Sequence, residues 1–110
     1  MKKKIIYVPM GADILHTGHL NIIKKAKKYG EIVIGLFTDL AIAEYKSFPL
    51  INYNQRLEIM RSIKGVKKIM KQNTWDYSEN LNKLKPDYLI HGDDWKKGIQ
   101  KKTRGKVLNL

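Results

Sequence analysis

Residues 4–37 read "KIIYVPMGADILHTGHLNIIKKAKKYGEIVIGLF". The opening apolar run, 4–8, stops at Pro9 and reads as a short buried strand. A glycine-containing loop follows. Ile22, Ile23, Ala26 and Tyr29 then recur at helical spacing, while Lys24, Lys25, Lys27 and Lys28 take the opposite side. That pattern predicts an amphipathic helix over 17–29, with Gly30 as its stop. "EIVIGLF" at 31–37 is a second buried strand. Strand, helix, strand is the unit that joins two parallel strands, because a parallel pair needs a long crossover.

The same alternation continues outward. A short helix is expected around 40–45 and a loop over 47–52. Asn52 with Gln55 resembles a capping box opening a helix over 53–64, with Leu57, Met60 and Ile63 as its apolar stripe and Gly65 as its end. Strands are expected at 66–70 and 87–92, separated by a loop and a short helix that halts before Pro86. A loop or irregular helix then leads to a last strand from Lys106. The class is therefore α/β, a parallel sheet with helices on both faces. Ligands of such sheets bind beyond the carboxyl ends of the strands. "GADILHTGH", "TD" and "HGDDW" all fall there.

The bulk properties narrow the partners. The 110 residues suit one domain. There is no cysteine, so disulfide frameworks and thiolate metal sites are excluded. The start "MKKKIIYVP" is too short in apolar residues for a secretion signal, and no run approaches a membrane span. The expected location is the cytoplasm, with no membrane partner. Lys and Arg number 22 against 10 Asp and Glu, a net charge of +12. Such a field attracts polyanions without choosing among them.

"LHTGHL" at 15–20 places His16 and His19 where the first strand meets the first helix. Three uses compete. A shared metal needs a third ligand, which His91 or Asp93 could supply, but no zinc spacing is matched. Packing alone is a poor use of two histidines around a glycine. A grip on phosphate fits best. A helix N-terminus offers unpaired amides and a positive dipole end, the imidazoles add donors, and Gly18 allows close approach. No metal site is therefore assigned.

These residues carry a resemblance. "GADILHTGHL" resembles the HxGH signature of the nucleotidyltransferase superfamily, "NYNQRLEIMRSIKGVKKI" looks like its arginine-bearing helix, and "PDYLIHGDDW" resembles its fourth-strand segment with a cytidylyltransferase-type GDDW ending. The nearest likeness is to glycerol-3-phosphate cytidylyltransferases and to cytidylyltransferase domains associated with phosphoenolpyruvate mutase. The resemblance implies a Rossmann-like sheet forming one nucleotidyltransferase domain over 1–110. It also implies transfer of CMP from CTP to a small phosphate- or phosphonate-bearing substrate, with Mg²⁺ carried by the CTP phosphates. The acceptor would be of the glycerol 3-phosphate, phosphocholine, phosphoethanolamine or 2-aminoethylphosphonate type.

By the same resemblance, His16, His19 and Lys46 are the catalytic residues. Met10, Gly11, Ala12, Asp13, Gly18 and Arg56 hold the nucleotide from the phosphate side. His91, Gly92, Asp93 and Asp94 hold it from the cytosine and ribose side. Bottom-up, Lys46 is a mobile point charge and Arg56 a fork suited to phosphate. Asp13 has the alternative use of bracing its loop. A choline-type acceptor would need an aromatic cage, for which Tyr45, Phe48, Tyr53, Trp75, Tyr77 and Trp95 compete.

Two departures from the family pattern are visible. Relatives continue into an R-T-x-x-I-S-[ST]-[ST] segment opening a final helix, and this chain stops at Leu110, so the domain is expected to lack its last helix. Ala12 stands where many relatives have phenylalanine. A homodimer, and a place within a larger protein, are both compatible with this reading. The alternatives are a nucleic-acid-binding module and an inactive nucleotide-binding fragment. The chain lacks the interleaved aromatic and glycine pattern of an RNA-binding sheet, so nucleic acid is not the expected partner.

Overall fold

The computed structural model describes residues 4–13, 17–45, 47–91 and 106–109. Five strands form one parallel sheet: β1 (Ile5–Met10), β2 (Glu31–Phe37), β3 (Val66–Gln72), β4 (Tyr88–His91) and β5 (Lys106–Asn109). The helices are α1 (Thr17–Lys27), α2 (Asp39–Tyr45), α3 (Tyr53–Arg61) and α4 (Ser78–Leu84). Strand order is β3-β2-β1-β4-β5. The expected α/β class is the observed one. The stretch expected between β4 and β5, 93–105, lies outside the described residues.

Both central strands are buried on both sides, which is why they read as unbroken apolar runs rather than alternating ones. Period 2 sorts their side chains. Ile6, Val8 and Met10 of β1 and Ile32, Ile34 and Leu36 of β2 face Ile23, Ala26 and Met60. Tyr7, Val33 and Phe37 face Ala41, Ile42, Tyr77 and Leu81. So α1 and α3 cover one face, α2 and α4 the other. β3 is an edge strand, and Lys67, Lys68 and Lys71 are exposed along it. Charge on an edge discourages pairing with another chain.

Several boundaries differ from the sequence reading. β1 runs on through Pro9 and Met10, β3 continues to Gln72, β4 spans Tyr88–His91, α1 ends at Lys27, and α3 ends at Arg61 with Ser62 as its cap. Gly30, expected as the stop of α1, lies three residues past its end and serves the sheet instead. A Cβ there would lie 2.2 Å from the Lys4 carbonyl oxygen, which accepts from Glu31 N. The glycine lets the entries of β1 and β2 touch.

Asn52 caps α3 as expected, its side chain accepting from Gln55 N at 2.9 Å. Asn52→Ala is expected to lower stability by about 1 kcal/mol, the usual worth of such a cap. Thermal unfolding checks this, with an expected fall in midpoint of about 4–8 °C per kcal/mol for a domain near this size.

Candidate active site

β1 lies between β2 and β4, and the chain leaves it in both directions, so the β1/β4 junction is the topological switch point. The two strands pair at Ile6 with Tyr88 and Tyr7 with Leu89. β1 then continues to Met10 and β4 to His91. Pro9 has no N–H to give; it stays in register with Gly35 of β2 but lies beyond the stretch paired with β4. The loop at Gly11–Asp13 leaves β1 at this end. α1 begins nearby with Thr17, Gly18 and His19 in its first turn, where amides lack intrahelical partners. Gly18 and His19 are both partly exposed. An anion placed here would meet a helix N-terminus and an imidazole together.

The loop's backbone is unusual. Ala12 has φ 53°, in the left-handed region that side chains other than glycine enter at a cost. Its methyl group is buried in the core under α1. Burial holds the strained residue in place, and the strain turns the chain sharply out of the strand.

Two charged side chains organise the rest of the rim. Asp13 accepts Leu50 N at 3.1 Å through one carboxylate oxygen and Ile51 N at 3.0 Å through the other. Arg56 is wholly buried. Its Nε donates to Ile51 O at 2.9 Å. One terminal nitrogen donates to Gly11 O at 2.8 Å and to Phe37 O at 2.7 Å. The other donates to Asp39 Oδ1 at 2.6 Å. Desolvating a guanidinium is costly unless its donors are met, and here four of its five N–H groups are engaged.

The sequence-derived site residues divide accordingly. Gly11, Asp13, Gly18 and His19 come together at the switch point. Met10 and Ala12 are there too, but their side chains belong to the core, which leaves their backbone for a ligand. His91 closes β4 beside them, its side chain outside the described part. His16, Lys46, Gly92, Asp93 and Asp94 lie outside the described residues. The expected fork of Arg56 on phosphate is not what the geometry presents, since the fork holds protein carbonyls and Asp39. Asp13 takes the bracing use that its position left open.

Asp39 is the residue that sequence reasoning missed. It stands in the first turn of α2, and Thr38 caps the same helix by accepting Ala41 N. The "TD" pair at the strand end was the available signal, but nothing in the sequence pairs it with an arginine 17 positions on. The aromatic candidates also separate. Trp75 stacks on Phe37 at 4.1 Å and donates to Ala41 O, and Tyr77 is buried. Tyr53 has Lys71 and Arg56 over its ring at 5.3 and 5.7 Å. Burial raises its phenol pKa above the ordinary tyrosine value, against the pull of Arg56 and Arg61. Phe48 is well exposed. Trp95 and the side chain of Tyr45 lie outside the described part.

Among the described residues no three His, Asp or Glu side chains converge as a metal site. No helix among them is long and apolar enough to cross a membrane.

Comparison with known proteins adds the following. The model of the family described as cytidylyltransferase-like matches residues 12–110. The chain is 33% identical over 96 residues to an ethanolamine-phosphate cytidylyltransferase of Dictyostelium discoideum, covering 84% of this chain and 27% of that protein. It is 32% identical over 104 residues to an FAD synthase of Methanothermus fervidus, covering 88% and 72%. A bifunctional protein HldE of Aliarcobacter butzleri is 31% identical over 96 residues, covering 84% and 20%. The chain thus spans about a quarter of the ethanolamine-phosphate cytidylyltransferases it matches, 27% and 24% of two of them. In fold it is similar to a lipopolysaccharide core biosynthesis protein from Thermoplasma volcanium GSS1, known from its crystal structure. The TM-score is 0.90 at 24% identity, covering 99% of this chain and 97% of that one.

Proposed function

The chain belongs to the cytidylyltransferase-like family, and from that premise we propose that it transfers CMP from CTP to a small phosphate- or phosphonate-bearing acceptor, releasing pyrophosphate. An acceptor oxygen attacks the α-phosphorus of CTP. The bond from that phosphorus to the bridging oxygen breaks, and pyrophosphate leaves with the electron pair. Negative charge grows on the bridging and equatorial oxygens, so orientation and fixed donors carry most of the catalysis.

The observation that carries the reading is the convergence, at the switch point, of the Gly11–Asp13 loop, the first turn of α1 with Gly18 and His19, and the end of β4. His16 and His19 donate to the triphosphate and stabilise the developing charge, with Lys46 as a further point charge. Backbone groups of Met10, Gly11 and Ala12 line the phosphate side. His91, Gly92, Asp93 and Asp94 line the base and ribose, where carbonyls and carboxylates accept the cytosine amino group. Mg²⁺ accompanies the triphosphate, bound by phosphate oxygens and water, an arrangement that asks for no cage of protein ligands. A cytoplasmic setting, where a nucleoside triphosphate is available, goes with this reading.

Pyrophosphate release is the test, with CTP and Mg²⁺ and each of phosphoethanolamine, phosphocholine, glycerol 3-phosphate and 2-aminoethylphosphonate. Phosphoethanolamine comes first because relatives from three organisms bear its cytidylyltransferase name. Turnover with CTP and one acceptor, and none with ATP, is the expected result. The FAD synthase relatives make the ATP arm decisive: turnover with ATP and not CTP would reassign the base.

A further inference from the structure

We propose that Asp13 and Arg56 are positioning residues that clasp the segment 47–51 onto the rim of the site, so that this wall is set before nucleotide arrives. The inference rests on the functional reading above for its kinetic part and on geometry alone for the clasp.

The first consideration is charge. A carboxylate beside a triphosphate site is a like charge and weakens anion binding. Asp13 sits in the loop that leaves β1 at that site, yet both of its oxygens are engaged by the amides of Leu50 and Ile51. Charge-assisted bonds from two successive amides are among the stronger hydrogen bonds available. They fix a short stretch of backbone in position and direction, 37 and 38 residues further along the chain.

The second consideration is convergence. The Arg56 guanidinium contacts three separate pieces of the rim: Gly11 after β1, Phe37 at the end of β2 with Asp39 just beyond it, and Ile51 in the segment itself. Ile51 is therefore held at its N–H by Asp13 and at its carbonyl by Arg56. The same arginine holds the carbonyl of Gly11, two residues before Asp13. The three pieces cannot shift independently without leaving a buried cation short of acceptors, which is costly.

The third consideration is that apolar burial explains little of the placement of 47–51. Phe48 and Leu50 are 66% and 81% exposed, and Pro49 and Ile51 are only partly buried. With its two large side chains in water, the segment gains little from the hydrophobic effect. The hydrogen bonds to Asp13 and Arg56 fix its backbone.

The test combines amide hydrogen exchange with steady-state kinetics on the full chain, using Asp13→Asn and CTP with Mg²⁺ as the probe. In the unsubstituted protein the amides of Leu50 and Ile51 should be protected without nucleotide and gain little from it. In Asp13→Asn, which keeps shape but loses charge and one acceptor, their exchange should quicken by about tenfold or more. The turnover number should fall by about tenfold or more while KM for CTP changes less, because a displaced wall costs orientation in the transition state. Arg56→Lys is the second variant, with the same direction expected for Ile51. Unchanged protection of Leu50 and Ile51 in Asp13→Asn would overturn the clasp. So would tighter CTP binding by that variant, which would mean that the carboxylate faces the nucleotide. If the unsubstituted chain releases no pyrophosphate with any acceptor, the functional reading fails, and the exchange data still decide the clasp.

Discussion

His19→Ala is expected to lower the rate of pyrophosphate release by about 10²–10³-fold, the scale of a lost transition-state donor. His19 sits in the first turn of α1, partly exposed, at the positive end of the helix dipole. Alanine is the better helix former, so the fold should tolerate the change and the unfolding midpoint should hold. That separation makes the experiment informative. A rate loss with an unchanged midpoint assigns the imidazole to chemistry. A rate within about twofold of the unsubstituted protein would remove His19 from the mechanism, since a donor to the developing charge is worth far more than that. His19→Gln keeps an N–H donor and should recover part of the loss.

Gly35→Ala is expected to destabilise the fold by about 3–5 kcal/mol, combining overpacking with broken buried hydrogen bonds. A Cβ at Gly35 would lie 1.9 Å from the Tyr7 hydroxyl and 2.3 Å from its Cζ. Tyr7 is fully buried and has no room to yield. Its hydroxyl donates to Gln72 Oε1 and accepts from Asn80 Nδ2 at 2.9 Å. Gln72 in turn donates to Thr74 O at 2.7 Å, and Asn80 to Lys71 O at 2.8 Å. Burial raises the Tyr7 pKa above the ordinary tyrosine value, so the phenol remains a donor. Displacing the ring breaks a network that joins β1, β3 and α4. Thermal unfolding should show the loss as a fall of about 12–40 °C. Tyr7→Phe in the Gly35→Ala background should not rescue it, because the ring carbon at 2.3 Å remains. A midpoint unchanged by Gly35→Ala would mean that Tyr7 does not fill the space above that glycine.

The sheet was legible because its signals are local. Two apolar runs flanking a helix of period 3.6 leave one architecture open, and the Asn52 cap sits where its spacing put it. The histidines stood out because a strand end, a glycine and a helix start are adjacent in the chain, and the structure starts α1 at Thr17, between them. Asp13's bracing use was open in the sequence, but the partners of Arg56 were not legible there. An arginine one turn before Met60, beside the helix's apolar stripe, reads the same whether it faces phosphate or carbonyls. The difference lies in Gly11, Phe37 and Ile51, which are 45, 19 and 5 residues away. Gly35 was hidden in the same way. It reads as a weak point in a strand until Tyr7, from the neighbouring strand, is seen to occupy the space above it.

The sequence by itself determined the parallel α/β architecture and which motifs fall at the carboxyl ends of its strands. Periodicity and chain order are enough for these, because they follow from which side chains must leave water and how short connections run. Only the tertiary structure decided which backbone and side-chain groups Asp13 and Arg56 hold. That choice depends on which acceptors reach a buried cation or carboxylate once distant segments meet, and no local pattern encodes a meeting of segments tens of residues apart.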